Sequence, residues 1–201
     1  MLFTHDDESA ASDAVMRAMF EARKRVFVDL LGWDLPVLAG RYEIDQYDGP
    51  HARYLILADT DQNHLASARL LATSRPHILG DLFAGLCDAP PPTGPSTWEI
   101  TRFCLDRNLR ATERRRWRDA LVRALAHYAL EHGITTYTGV AEQGWLDQVL
   151  QFGWHAELLG RPRTIDQMTL GALRIEITPE TPALLAANGI HAPTELEQEA
   201  A

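Results

Sequence analysis

The amino-acid sequence predicts an α/β fold, a three-layer α/β/α sandwich built on a mostly antiparallel sheet. Three observations predict it. The chain has 201 residues, 46% hydrophobic and 23% charged, the balance of one globular domain and not of a disordered or fibrous chain. Apolar strand-like runs crowd residues 41 to 106. Strands and helices then mix along the rest, and this order builds helices onto a layered sheet.

Residues 13–31 read as an amphipathic helix, with Met16, Phe20, Phe27 and Leu30 recurring at steps of three, four or their sum. Strands are expected at 41–47, 52–59 and 64–73, with Asp59 to Asn63 as the turn between the last two. Pro90, Pro91, Pro92 and Pro95 make the next segment a loop, because proline continues neither a helix nor a central strand. A strand at 97–106 follows. A second helix spans 112–131, with Thr112 as N-cap, Gly133 past its end, and Trp117, Leu121, Leu125 and Tyr128 as its stripe. A strand at 134–141, a short helix at 143–152 and a strand at 168–177 complete a single domain over 1–187. Residues 188–201, polar and acidic, are expected to be a loose tail.

The net charge is −9, and its texture is uneven. Of the 19 basic side chains, all but Lys24 are arginine. Eight arginines fall between Arg102 and Arg123, against the acids Asp106, Glu113 and Asp119. An acidic chain with one basic segment repels nucleic acid over most of its surface, so a local anion or an acidic partner is the better fit. Cys87 and Cys104 match neither a disulfide framework nor a metal site, and the histidines show no ligand spacing. No metal is expected. No run approaches the roughly 18 apolar residues of a membrane span. The N-terminus carries acids where a secretory signal carries bases, which points to the cytoplasm.

Several positions break local rules. Arg23 sits on the apolar stripe of the first helix between Phe20 and Phe27. It either snorkels at the stripe's edge or reaches a polar cavity beneath the helix. Arg69 interrupts an apolar strand, where a buried charge must be matched; the alternative is an exposed sheet face. In the run from Trp98 to Phe103, Glu99 and Arg102 would point to opposite faces under strict alternation, and a β-bulge between them would bring both to one cavity. Asp45 and Asp48 add two acids at a strand end. The three acids and three arginines fit either an active site or a structural ion-pair network. Arg114, Arg115, Arg116 and Arg118 crowd the positive end of the second helix, each at a cost of about 0.3–1 kcal/mol. They are either solvated surface charge or an anion site.

An ordered set of motifs resembles the acyl-homoserine-lactone synthases of the LuxI type. It comprises Arg23, Val26 and Phe27; Leu31, Gly32 and Trp33; Glu43, Asp45, Tyr47 and Asp48; Ala68 to Leu71; Leu82 and Phe83; and Trp98 to Phe103. The resemblance runs to about residue 187. It implies a fold similar to the GNAT N-acyltransferases, with a substrate cleft between splayed strands. The glycine-rich pyrophosphate loop of ordinary GNAT enzymes is replaced by the arginine-rich segment 107–117.

The implied substrates are S-adenosylmethionine and an acyl thioester of acyl carrier protein or coenzyme A, with no separate cofactor. Glu99 is the implied base and backbone N–H groups near Phe103 the oxyanion donors. Phe27 and Trp33 would cap the adenosylmethionine pocket, Asp45 and Asp48 would supply negative charge, and Arg23, Arg69 and Arg102 would hold those acids and the substrate carboxylate. Phe83 is a further substrate-binding position of the resemblance. Arg107, Arg110, Arg114, Arg115 and Arg118 would meet the carrier or its phosphopantetheine. A plain N-acyltransferase acting on another amine is the alternative.

Thr138 and Glu142 lie beside the position where, by the resemblance, members selective for 3-oxo chains carry a hydrogen-bonding threonine; that position falls at Ala141, with Gly139 two residues before it on the same face. Neither Ala141 nor Gly139 can donate from a side chain, and a buried carbonyl without a partner costs about 1–3 kcal/mol, or roughly 5- to 150-fold. In competition between equal-length thioesters, the unsubstituted donor is therefore expected to outrun the 3-oxo donor.

Overall fold

The computed structural model describes residues 1–4 and 10–191. Strand β1 (Leu2–Thr4) precedes helix α1 (Ala10–Arg23) and a π-turn at Lys24–Val28, and strands β2 (Val37–Leu38), β3 (Tyr42–Glu43), β4 (Arg53–Ala58) and β5 (His64–Ala72) follow. Helix α2 (Ile78–Leu82), a 3₁₀ turn (Ala84–Leu86), strand β6 (Thr97–Leu105) and helix α3 (Ala111–Glu131) follow. The chain then forms β7 (Thr136–Glu142), α4 (Gln143–Leu150), β8 (His155–Leu158), β9 (Arg163–Ile165), β10 (Met168–Glu176) and α5 (Thr181–Ala187). This is the expected mixed α/β fold with a large, mainly antiparallel sheet. No helix among the described residues is long and apolar enough to cross a membrane.

The described residues divide into two compact units, Met1–Arg69 with Arg102–Ala124, and Leu70–Thr101 with Leu125–Ile190. The first unit carries the order β1-β4-β5-β6, using the start of β5 and the end of β6. Strand β4 buries five consecutive residues, Tyr54 to Ala58, so both of its faces are covered. Helix α1 buries Val15, Met19 and Ala22, and the first part of α3 buries Leu121 and Val122. The second unit carries β5-β6-β7-β10-β8, with β9 also on β10. Here β6 and β7 run parallel, with Thr97, Trp98 and Glu99 opposite Thr136, Tyr137 and Thr138. Leu79, Leu86, Leu170 and Ala172 form a core against which Phe83, Val140 and Met168 pack.

Departures from the expected elements have identifiable causes. The helix expected over 13–31 turns from α to π at Lys24, where Asp29 N–H bonds to Lys24 O at 3.1 Å and Leu31 N–H to Val26 O at 3.0 Å. The wider turn changes the facing of Phe27, as π-bulges do near functional sites. The side chain of Lys24 pairs with Asp29 at 2.8 Å. The strand expected at 41–47 shrinks to Tyr42–Glu43, paired with Val37–Leu38 across a turn in which Ala39 and Gly40 take φ of 52° and 67°. Beyond it, Asp45 Oδ1 accepts from Tyr47 N–H and Asp48 Oδ2 from Asp45 N–H, both at 2.8 Å, and these side-chain turns end the strand.

Thr112 is not the N-cap of the second helix. That helix starts at Ala111, and Arg110 N–H donates to Glu113 Oε2 at 3.1 Å, one half of a capping box. Helix α5 forms in a segment for which no element was expected, and Ile190, inside the expected tail, is buried with its N–H on Leu185 O at 3.0 Å. Residues 192–201 of the expected tail lie outside the described residues.

Strand β6 contains the expected irregularity. Thr97, Glu99 and Thr101 are buried, the phase then slips by one residue, and Cys104 is the next one buried. Arg102, at φ 50°, is the residue that absorbs the slip, a left-handed backbone rare outside glycine.

Close backbone approach is tightest at Gly160, where a Cβ would strike Leu86 O and lie 3.0 Å from Asp88 N. Gly160→Ala is expected to destabilise the protein by about 2 kcal/mol, lowering Tm by roughly 4–8 °C in a calorimetric scan, because backbone cannot step aside as a flexible side chain can.

Candidate functional site

The rule-breaking charges of the first unit converge. Arg23, at the last position of α1, donates from Nε to Glu43 Oε2 at 2.5 Å and from both Nη atoms to the two oxygens of Asp48 at 2.8 Å. Arg69, from β5, grips Asp45 with both Nη atoms at 2.6 and 3.1 Å, and its Nη1 also lies 2.8 Å from Asp48 Oδ1. Arg102 reaches Glu43 Oε1 at 3.1 Å and Asp45 Oδ2 at 2.7 Å through Nη2, with Nε on Glu43 as well. Tyr54 OH adds a bond to Asp48 Oδ1 at 2.7 Å. Three guanidinium groups and three carboxylates thus form one continuous lattice. The Arg23 and Arg69 side chains are 1% and 0% exposed, so neither snorkels.

Electrostatics follow from this packing. Burial alone would push the pKa of Arg23 down, but Asp48 and Glu43 more than offset it and the net shift is upward. Burial opposes ionisation of Asp48 too, yet Arg23 and Arg69 hold its carboxyl well below the usual range. Tyr54 is raised, by burial and then by the negative charge of Asp48. Arg69 is likewise shifted upward, its burial being outweighed by its bond to Asp45 and the charge of Asp48. The three carboxylates lie within 4.8 Å of one another, close enough to share a cation, but each is already bound by guanidinium groups that a cation would have to displace.

Aromatic rings flank the lattice. Phe27 and Trp33 stack at 5.0 Å with an interplanar angle of 18°. The Arg102 guanidinium lies over Phe27 at 5.7 Å, and that of Arg69 over Tyr47 at 5.8 Å. Phe27 packs with Ala22 and Cys104, and Trp33 rests against them half-buried. Burial raises the Cys104 thiol to about 12, so it serves as packing and not as a nucleophile. Phe103 follows the bulge residue on β6.

Glu99 is held in the second unit. It is fully buried, and its two oxygens accept from Ile78 N–H and Leu79 N–H, each at 2.8 Å. These are the first two amides of α2, orphan donors of a helix start that a carboxylate satisfies well. Phe83 ends that helix and packs into the apolar core with Val140 and Met168. Gly139 lies where a Cβ would meet Ile100 O at 3.2 Å. Ala141, half-buried, lies opposite Gly171 of β10.

The arginine run is divided between two environments. Arg118 bonds Asp119 at 2.6 Å, and Arg114 caps the carbonyls of Asp106 and Arg107 at 3.2 and 3.4 Å. Arg107, Arg110 and Arg115 are exposed.

Two lattice members, Glu43 and Tyr54, were not singled out in the sequence. Glu43, not Glu99, is the third carboxylate facing the three arginines. Its signal was present: it opens the Glu43, Asp45, Tyr47, Asp48 motif. Tyr54 carried no signal beyond β-propensity.

The model of the autoinducer synthase family matches residues 7–183. An acyl-homoserine-lactone synthase of Ralstonia nicotianae is 33% identical over 183 residues, 88% of this chain and 89% of that protein. Among solved structures, the CoA-dependent acyl-homoserine lactone synthase BjaI, with SAM and isopentyl-CoA, superposes at TM-score 0.81 and 25% identity over 90% of this chain and 84% of that one. TofI, in a ternary complex with an inhibitor and MTA, gives 0.77 and 29% over 92% and 96%. A protein described as an N-acetyltransferase of Lactobacillus plantarum shares the fold at 0.62 and 16% identity over 89% and 98%.

Removing one partner from a buried ion pair strands the other, at a cost of about 3–5 kcal/mol. Asp48→Asn is expected to lose that much stability at pH 7, measured by urea unfolding. Because the native pKa of Asp48 is depressed, its contribution is complete above the ordinary aspartate pKa of about 3.9 and fades as pH falls below it. The difference between wild type and variant is therefore expected to shrink in that acid range.

Proposed function

We infer that this chain, which belongs to the autoinducer synthase family over residues 7–183, makes an N-acyl-homoserine lactone from S-adenosylmethionine and an acyl thioester. The observation that carries this reading is the family match across nearly the whole chain. BjaI is described with SAM and isopentyl-CoA, which supports the same two substrate classes here.

The chemistry has two steps. The neutral amine of S-adenosylmethionine attacks the thioester carbonyl, the thiolate leaves, and an amide forms. The methionine carboxylate then displaces the sulfonium at its γ-carbon, closing the lactone and releasing methylthioadenosine. A free α-amino group has a pKa of roughly 7.7–8.0, so a fraction is neutral at working pH and a base must collect the proton from the rest. Glu99 is assigned that role, through a water. The N–H of Phe103 is assigned to the developing oxyanion.

The lattice suits a zwitterionic, cationic substrate. Asp45 and Asp48, whose oxygens the arginines engage, are assigned an attraction for sulfonium and ammonium that acts through space and not by direct bonds, and the Phe27–Trp33 stack supplies a π-face. Among the arginines, Arg102 is assigned the substrate carboxylate. Its bonds to Glu43 and Asp45 run through Nε and Nη2, leaving Nη1 beyond them, and its side chain is 10% exposed. All three nitrogens of Arg23 are engaged.

Arg107, Arg110 and Arg115 are assigned to an anionic donor, the face of an acyl carrier protein or the phosphates of coenzyme A. We place the reaction in the cytoplasm.

Glu99→Gln tests the base. A base typically contributes about 10²–10⁴-fold, so methylthioadenosine release is expected to fall at least tenfold in kcat, with KM less affected. The glutamine amide also turns N–H groups toward one α2 amide, so a lower Tm is expected alongside. Retention of more than about a tenth of kcat below the melting range contradicts the assignment.

A further inference from the structure

The parallel ladder between β6 and β7 ends on the pair Glu99 and Thr138. Paired residues of adjacent strands stand on the same face, about 4.8 Å apart. Both side chains are fully buried. The Thr138 Oγ1 hydroxyl has no hydrogen-bond partner. Two residues on, Val140 faces Ala172 across the ladder, in the core of Leu79, Leu86 and Leu170. Arg174, opposite Thr138 on β10, turns to Glu157 at 2.6 Å. Valine has the shape of threonine and would fill the place without stranding a hydroxyl. A buried hydroxyl that no protein group meets, next in register to the assigned base, calls for a partner from outside the chain.

Glu99 is pinned by two amides, so it cannot swing toward the amine. Its proton has to arrive through an intermediary, and a single carboxylate oxygen does not fix the direction in which a water faces. We propose that Thr138 is a positioning residue that orients this water. The water donates one hydrogen to Glu99 and the other to Thr138 Oγ1, and so presents a lone pair to the substrate ammonium. An N–H bond then breaks, the nitrogen keeps the electron pair that attacks the thioester, and the water takes that proton while passing its own to Glu99. Neutral acid, neutral water and free amine result. The proposal rests on the assignment of Glu99 as base.

The test measures kcat, KM for both substrates and Tm in Thr138→Val, Thr138→Ser, Glu99→Gln and the Val/Gln double variant. Thr138→Val is expected to lose about tenfold or more in kcat with both KM values within about twofold, a split expected of a group acting in the transition state. Its Tm is expected to hold or rise, since no bond is lost. Thr138→Ser is expected to restore kcat to within about threefold of wild type, and Thr138→Val to add less than about twofold on top of Glu99→Gln, because both act on one proton path. Wild-type kcat in Thr138→Val, with Glu99→Gln inactive, overturns the proposal alone. So does a lowered Tm that serine does not restore, or an effect confined to discrimination between 3-oxo and unsubstituted donors. An active Glu99→Gln overturns the base reading itself.

Discussion

Six buried charges set the terms for the first unit. Guanidinium and carboxylate groups leave water only when each is met by the other with its hydrogen bonds filled. The chain delivers them from four separate places: Arg23 from the end of α1, Glu43 with Asp45 and Asp48 from a short strand and its turn, Arg69 from β5, and Arg102 from β6. Three of these places are irregular. A π-turn follows Arg23, aspartate side chains bond the backbone at 45–48, and Arg102 takes a left-handed φ. Regular helix and strand would put these side chains elsewhere. The lattice therefore shows where local geometry is sacrificed.

Much of this was legible in the sequence. Arg23 on an apolar stripe and Arg69 inside an apolar strand each violate patterning strongly enough to demand a partner, and each has one. The bulge in β6 was legible as a parity conflict between Glu99 and Arg102. Long, strongly periodic elements such as α3 and β5 matched within a residue or two. What stayed hidden was set by tertiary bonds. The two-residue strands β2 and β3 have too little pattern to read, and the Asx turn that truncates β3 depends on side-chain geometry. Helix α2 is five residues long, and a carboxylate distant in sequence satisfies its first amides.

Glu99 was legible as an anomaly but misread in its company. A buried acid in a β-strand invites a basic partner, and the nearest arginine in sequence, Arg102, was the natural candidate. The structure gives the carboxylate backbone amides instead, and gives the arginines Glu43. Spacing along one strand cannot show this, because the amides belong to a helix start some twenty residues earlier. An amide-bound carboxylate is fixed in direction, which makes its surroundings, and not its own mobility, decide what reaches it.

The scarcity of lysine has a chemical consequence. Activated thioesters acylate neutral amines without help, whereas guanidinium groups, protonated under all ordinary conditions, are poor nucleophiles. This chain answers almost every need for positive charge with arginine, and its single lysine is tied to Asp29 on the π-turn. Among its side chains, amine-directed acylation and labelling alike have one target. That target lies next to Arg23 in sequence, so a reporter attached there would sit beside the lattice without touching a member of it.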